Sequence, residues 1–236
     1  MASGFQLWAH PWWVNLLLLA PVLSFLGWRR GGLALSRRQL FYLAVFGVSF
    51  GFVEAAVVVY LRAGLALAGS QAALQPPALP DSYQQVAASL ALFPRRLLAI
   101  EICREAATII MLVSVALLAA AKARERWACF LGAFAAWDLT YYAALRVMLG
   151  WPSSLRDLDV LFLIPVPWVS QVWFPVLVSA LALAAIALST RATRSATLKQ
   201  ALPADLSQAA PKGNPTLAAQ MWDAGKELVI SRRRSR

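Results

Sequence analysis

Six ionisable residues stand inside stretches that are otherwise apolar: Glu54, Glu101, Arg104, Glu105, Asp138 and Arg146. The run "EICREAATIIML" (residues 101–112) spaces Glu101, Arg104 and Glu105 at i, i+3 and i+4, so one helix face carries all three. The run "WDLTYYAALR" spaces Asp138, Tyr142 and Arg146 at i, i+4 and i+8, with Tyr141 alongside. An acid, a phenol and a guanidinium then stand in a row. Two positive charges against four negative ones leave an excess of carboxylates, which is costly in a low dielectric. Protons, cations or water must offset it. Three kinds of chemistry suit such a set. Carboxyls of raised proton affinity can hold a proton or cation. Glu54, Glu101, Glu105 and Asp138 can offer oxygen ligands to a hard metal ion. Glu105, Asp138 and Tyr142 can supply an acid–base pair to a lipid-processing enzyme. The plain structural reading is polar glue between helices.

Other classes are disfavoured. The chain has no phosphate-binding glycine loop. Its only histidine, His10, precedes the first apolar run, so haem or chlorin ligation is not evident and the cofactor, if any, stays unassigned beyond a metal. Cys103 and Cys129 fall near the starts of consecutive apolar runs. Antiparallel helices would put them in opposite leaflets, out of disulfide reach.

The elements that must position these residues are apolar blocks. The 236-residue chain is 60% hydrophobic and 14% charged, where soluble domains carry about 25% charged residues. We read an all-α, polytopic transmembrane helix bundle of about five spans: 12–28, 40–61, 97–121, 127–149 and 172–189. Each is near the ~20 residues that cross ~30 Å of hydrocarbon. The first eleven residues carry no Lys or Arg, so the first run reads as a retained helix. At ~1.5 Å per residue, Glu54, Glu105 and Asp138 reach ~21, ~18 and ~16 Å above the inner surface. Three carboxyls on three spans thus meet at or above the midplane. Gly47, Gly51 and Ala55 form a small-residue ladder beside Glu54 that admits a close partner helix.

The net charge of +11 follows the loops. Arg29, Arg30, Arg37, Arg38, Lys122, Arg124 and Arg126, with the nine Lys and Arg after the last span, share one side if the N-terminus is outside. Residues 1–190 then form the bundle, and 191–236 form a basic cytoplasmic tail attracted to anionic lipid rather than nucleic acid. Trp8, Trp12, Trp13, Trp151, Trp168 and Trp173 belong to an outer aromatic belt, Trp28 and Trp127 to an inner one.

Two further segments face outward. Residues 81–94, "DSYQQVAASLALFP", read as a short amphipathic helix with Asp81 as N-cap. A weaker helix is read at about 216–230 in the tail. Residues 159–171 are apolar but broken by Pro165 and Pro167. We expect a re-entrant or interfacial lid over the polar cluster, with Asp159, Pro165, Pro167 and Trp168 in it. Asp157 and Asp159 mark its entrance.

"WDLTYY" and "DVLFLIPVPW", with "EICREAAT" before them, resemble a bacterial multi-pass membrane protein family of unassigned function. The resemblance covers about Glu54 to Val178. It implies a bacterial inner-membrane location and brings no activity with it. The expectation is a site in the outer half of the bundle for a cation, a proton or a lipid head group. The alternative is an accessory subunit of a larger membrane complex.

Overall fold

A computed structural model describes residues 6–67 and 94–201. The helices read at 81–94 and 216–230 lie essentially or wholly outside the described residues. The chain divides into two compact units, Met1–Thr193 and Arg194–Arg236.

The elements follow the apolar blocks closely. A 3-10 helix, Trp12–Leu18, continues directly as α1 (Leu19–Trp28). Then come α2 (Arg37–Leu67), α3 (Arg95–Ala119) and α4 (Ala123–Leu149). Two strands follow, β1 (Leu158–Phe162) and β2 (Trp168–Gln171), and α5 (Trp173–Ala201) comes last. Helix α2 starts on a capping box. The Ser36 N–H donates to Gln39 Oε1 at 2.8 Å, and the Gln39 N–H donates to Ser36 Oγ at 3.1 Å. Gly150, at φ 67°, ends α4, because a left-handed position favours glycine.

The tightest helix pair is α2 against α4. A Cβ on Gly47 would sit 2.6 Å from the Ala136 Cβ and 2.8 Å from the Ala133 carbonyl oxygen. One on Gly51 would run into the Trp137 carbonyl oxygen and lie 2.9 Å from the Thr140 Cβ. Backbone thus meets backbone here, which only glycine permits. The next turn of α2 packs Ala55 with Tyr142 and Leu145 of α4 and buries Glu54 beside it.

At one end of the bundle, polar side chains tie off helix ends. Arg124, near the start of α4, donates to the carbonyl of Trp28 at 3.2 Å and also to that of Gly32. Gln39 Nε2 donates to the Ala119 carbonyl at 2.8 Å, and Arg126 Nε to the Ala120 carbonyl at 2.8 Å. Trp127 donates its indole N–H to Ser24 at 2.8 Å. The carbonyls that α1 and α3 leave unpaired thereby find partners.

The other end holds the main departure from the sequence reading. Residues 159–171, expected as a Pro-broken re-entrant or interfacial piece, carry regular structure. They lie in an antiparallel hairpin that pairs Leu158 with Gln171, Asp159 with Ser170, and Val160 with Val169. The register shifts between Val160 and Phe162. Val160, Phe162, Trp168 and Val169 suit a strand, and the prolines are confined to the turn, where no ladder N–H is missed. The second edge of β2 is covered as well. His10 and Val169 exchange two backbone hydrogen bonds of 2.8 Å. The segment before α1 is held there by Asn15, which both donates to and accepts from Ala9. An unpaired strand edge is thereby avoided.

Substituting Gly51→Ala should destabilise the protein by about 1–3 kcal/mol, as expected of overpacking. Gly27→Ala, whose added Cβ meets nothing within 4 Å, should leave stability unchanged. Melting temperatures of the two variants in mild detergent check this.

Candidate functional site

The charged residues of α2 and α3 form one ion-pair group. Arg104 grips Glu101 with two guanidinium nitrogens, Nε at 3.0 Å and Nη2 at 2.5 Å. Its remaining terminal nitrogen, Nη1, pairs with Glu54 across the helix interface. Thr108 Oγ1 lies 3.0 Å from both Glu54 Oε1 and the Arg104 carbonyl, so its single proton serves either acceptor. Glu54 is buried, while Glu101 and Arg104 are half-buried. One guanidinium holding two carboxylates is favourable when each oxygen also has a hydrogen-bond partner.

Three further carboxyls near the hairpin and α5 lie outside that group, and each meets neutral donors. Glu105 Oε2 accepts the backbone N–H of Leu163, in the hairpin turn, at 2.7 Å. Asp138 Oδ2 accepts the Ser179 hydroxyl of α5 at 2.8 Å, with both residues buried. Asp159 Oδ2 accepts the Tyr142 hydroxyl at 2.7 Å, and its Oδ1 accepts the Val160 N–H at 2.9 Å. The hairpin is therefore fastened to the bundle by two carboxylate hydrogen bonds. Burial pushes the Asp159 carboxyl up to about 6, against the opposing pull of the Tyr142 hydroxyl, the Val160 N–H and the Arg62 charge.

An aromatic wall runs beside these acids. Trp137 packs on Tyr141 at 6.3 Å and on Phe162 of the hairpin at 6.4 Å. Phe162 meets Trp168 at 5.4 Å, and Trp168 meets Trp13 at 4.9 Å, edge to face. Tyr142 lies 6.2 Å from Trp151, over which the Arg62 guanidinium sits at 5.8 Å. The indole N–H groups of Trp137, Trp151 and Trp168 are buried and have no hydrogen-bond partner among the described residues.

The structure gathers most of the residues read from the sequence, and one stands apart. Glu54, Glu101 and Arg104 form the ion-pair group. Glu105, Asp138, Tyr142 and Asp159 form the hydrogen bonds around the hairpin and α5. Tyr141 lies between the two sets and feels the charges of Asp159, Arg104, Arg62 and Glu101. Arg146 is exposed and donates to the carbonyls of Gly150 at 2.7 Å and Pro152 at 2.9 Å, so it fastens the loop after α4 instead. Pro165 is exposed in the hairpin turn, Pro167 precedes β2, and Trp168 begins β2. Asp157 is a turn organiser. Its carboxylate accepts from the Ser153 N–H at 2.5 Å and the Ser154 hydroxyl at 2.9 Å. Among the described residues no three His, Cys, Asp or Glu side chains form a group that could hold a metal ion. Glu54, Glu101, Glu105 and Asp138 therefore do not present themselves as a ready ligand set.

Three partners escaped the sequence reading. Arg62 follows Glu54 by eight residues, and Thr108 follows Glu101 by seven, so each lies on a stripe already marked by a charge. That spacing would have found both. Ser179 is a single hydroxyl in an apolar helix and carries no such signal.

Fold and site together define a multi-pass helical membrane protein with a carboxylate-rich interior. Among the described residues four helices are long and apolar enough to cross a membrane: Arg37–Gly64, Arg95–Ala119, Ala123–Leu149 and Trp173–Thr190. Comparison with protein-family models, with curated proteins and with solved structures finds no significant match.

Two expectations follow. Arg104→Met leaves Glu54 buried without its cation, and should cost about 3–5 kcal/mol of stability. Adding Glu54→Gln should recover part of that loss, a coupling that a double-variant thermal series measures. The second concerns pH. With Asp159 raised from 3.8 to about 6, the folded state keeps a proton that the unfolded chain has lost. Its contribution to stability is therefore present below about pH 3.8 and fades as pH rises through about 6. Asp159→Asn should flatten that part of the melting-temperature profile relative to the wild type.

Proposed function

We propose that this protein binds and transfers protons within the membrane, at a carboxyl cluster covered by the hairpin. The observation that carries this reading is the pairing of Glu105, Asp138 and Asp159. Each accepts hydrogen bonds from neutral groups, and among the described residues none is ion-paired. Five carboxyls (Glu54, Glu101, Glu105, Asp138 and Asp159) share the region with two guanidiniums, Arg62 and Arg104. Excess carboxyls away from water are neutral as acids or neutralised by a cation. An ionisable residue kept at that depth is by default a functional one. A cation site is the second reading, favoured by the same excess. An anionic lipid head group is less well matched, because Arg104 is saturated by Glu54 and Glu101, and Arg62 rests on Trp151.

The topology belongs to the same proposal. We read five spans in a bacterial inner membrane, N-terminus outside and C-terminus inside. The 12–28 segment is short for a span, but its first seven residues form a 3-10 helix, which rises ~2.0 Å per residue. With ten α-helical residues at ~1.5 Å each, it covers about 29 Å. Its beginning touches the hairpin side and its end touches Arg124, at the opposite end of α4. The basic residues flanking Trp28 and Arg124 then share the cytoplasmic side. Leu163 meets Glu105, ten residues into α3, so the hairpin turn reaches ~15 Å below the Arg95 end of that helix. That depth supports a re-entrant hairpin, made tolerable because its strands pair with each other.

The test compares wild type with Asp138→Asn in mild detergent, by potentiometric proton titration and elemental analysis. The variant should take up one proton fewer per chain, and neither protein should carry stoichiometric metal. Equal proton uptake, or a metal held by the wild type and lost in the variant, overturns the proton reading.

A further inference from the structure

We propose that Tyr142 is the proton relay between Asp159, on the hairpin side, and the buried Asp138, an inference that rests on the proton-handling reading above. Asp159 lies at the base of the hairpin, just after a loop whose Ser153, Ser154, Leu155 and Arg156 are exposed. It is the acid of the cluster nearest that loop in the chain. Asp138 is buried, with Ser179 on one oxygen and no described partner on the other. Tyr142 is the residue linked to both acids. Its hydroxyl is on Asp159, and it follows Asp138 by one helical turn, so both point along the same face of α4. The charges of Asp159 and Asp138 both act on it.

The transfer balances with one hydroxyl. A proton arriving on Asp159 makes it a donor, and its O–H bond breaks as a new one forms at the Tyr142 oxygen. The original Tyr142 O–H bond breaks as its proton passes to the Asp138 carboxylate. Asp159 is again ionised, Asp138 is neutral, and Tyr142 ends unchanged. No other reactant is needed. Charges around the path come from every packed element: Arg62 and Glu54 from α2, and Glu101, Arg104 and Glu105 from α3. Arg62 stabilises the ionised Asp159, while Arg104 and Glu101 act on the neighbouring Tyr141. Tyr141, the adjacent phenol, has no hydrogen bond to Asp159 and serves as the internal control.

The experiment is a rapid pH drop followed by infrared spectroscopy of the purified protein. The carbonyl stretch of protonated Asp138 is identified as the band lost in Asp138→Asn. Tyr142→Phe should slow its appearance at least about tenfold, the scale of losing a positioned proton-transfer group. Its final amplitude should remain. Asp159→Asn should slow it similarly, which keeps the test valid if the phenylalanine variant folds poorly. Tyr141→Phe should leave the rate unchanged. Equal rates in Tyr142→Phe and wild type, or equal slowing by Tyr141→Phe, overturn the relay. If no band depends on Asp138 at any pH, the proton-handling reading itself fails, a result distinct from the other two.

Discussion

Arg104 is bound to two carboxylates at once, and the arrangement of the polar interior follows from that grip. Its fork fixes Glu101 on its own helix, and its remaining arm crosses to Glu54 on α2. In an apolar bundle neither carboxylate could stay charged without it, and the guanidinium could not stay without them. The pairing therefore sets the register of α3 against α2. That register brings Thr108 to Glu54. It also turns Glu105, one residue further on, toward the hairpin turn and not toward the arginine.

The cluster can form there because the backbones are close. Gly47 and Gly51 let α2 lie directly on α4, so the next turn of α2 delivers Glu54 into the interior and not onto a lipid-facing surface. Along α4 the same face carries Asp138 and Tyr142 upward to the hairpin. The packing that excludes lipid thus also gathers the acids.

The hairpin solves a separate problem. Backbone polar groups packed against apolar helices must be satisfied by protein. The two strands satisfy each other, the chain at His10 covers the outer edge of β2, and Glu105 takes the Leu163 N–H in the turn. The hairpin is tied to the helices through Glu105–Leu163 and Asp159–Tyr142. Any change in the protonation of Glu105 or Asp159 acts on its attachment as well.

The linear pattern determined the helices and most of the charges they carry. Block length against bilayer thickness and the i, i+3, i+4 spacing of Glu101, Arg104 and Glu105 are local quantities, so they were legible. The stripes of α2 and α4 were legible for the same reason, and the Arg62 and Thr108 positions would have been. What the tertiary structure decided was partnership. Arg146 reads as a member of the Asp138 row, yet the loop carbonyls beyond Gly150 claim it. Ser179 reads as an apolar-helix residue, yet it becomes the partner of Asp138. The 159–171 segment reads as a Pro-broken re-entrant or interfacial piece, and its pairing with His10, far earlier in the chain, leaves no local signal. A side chain's face follows from its own helix. Which neighbour meets that face depends on how the helices approach, and no local spacing carries that information.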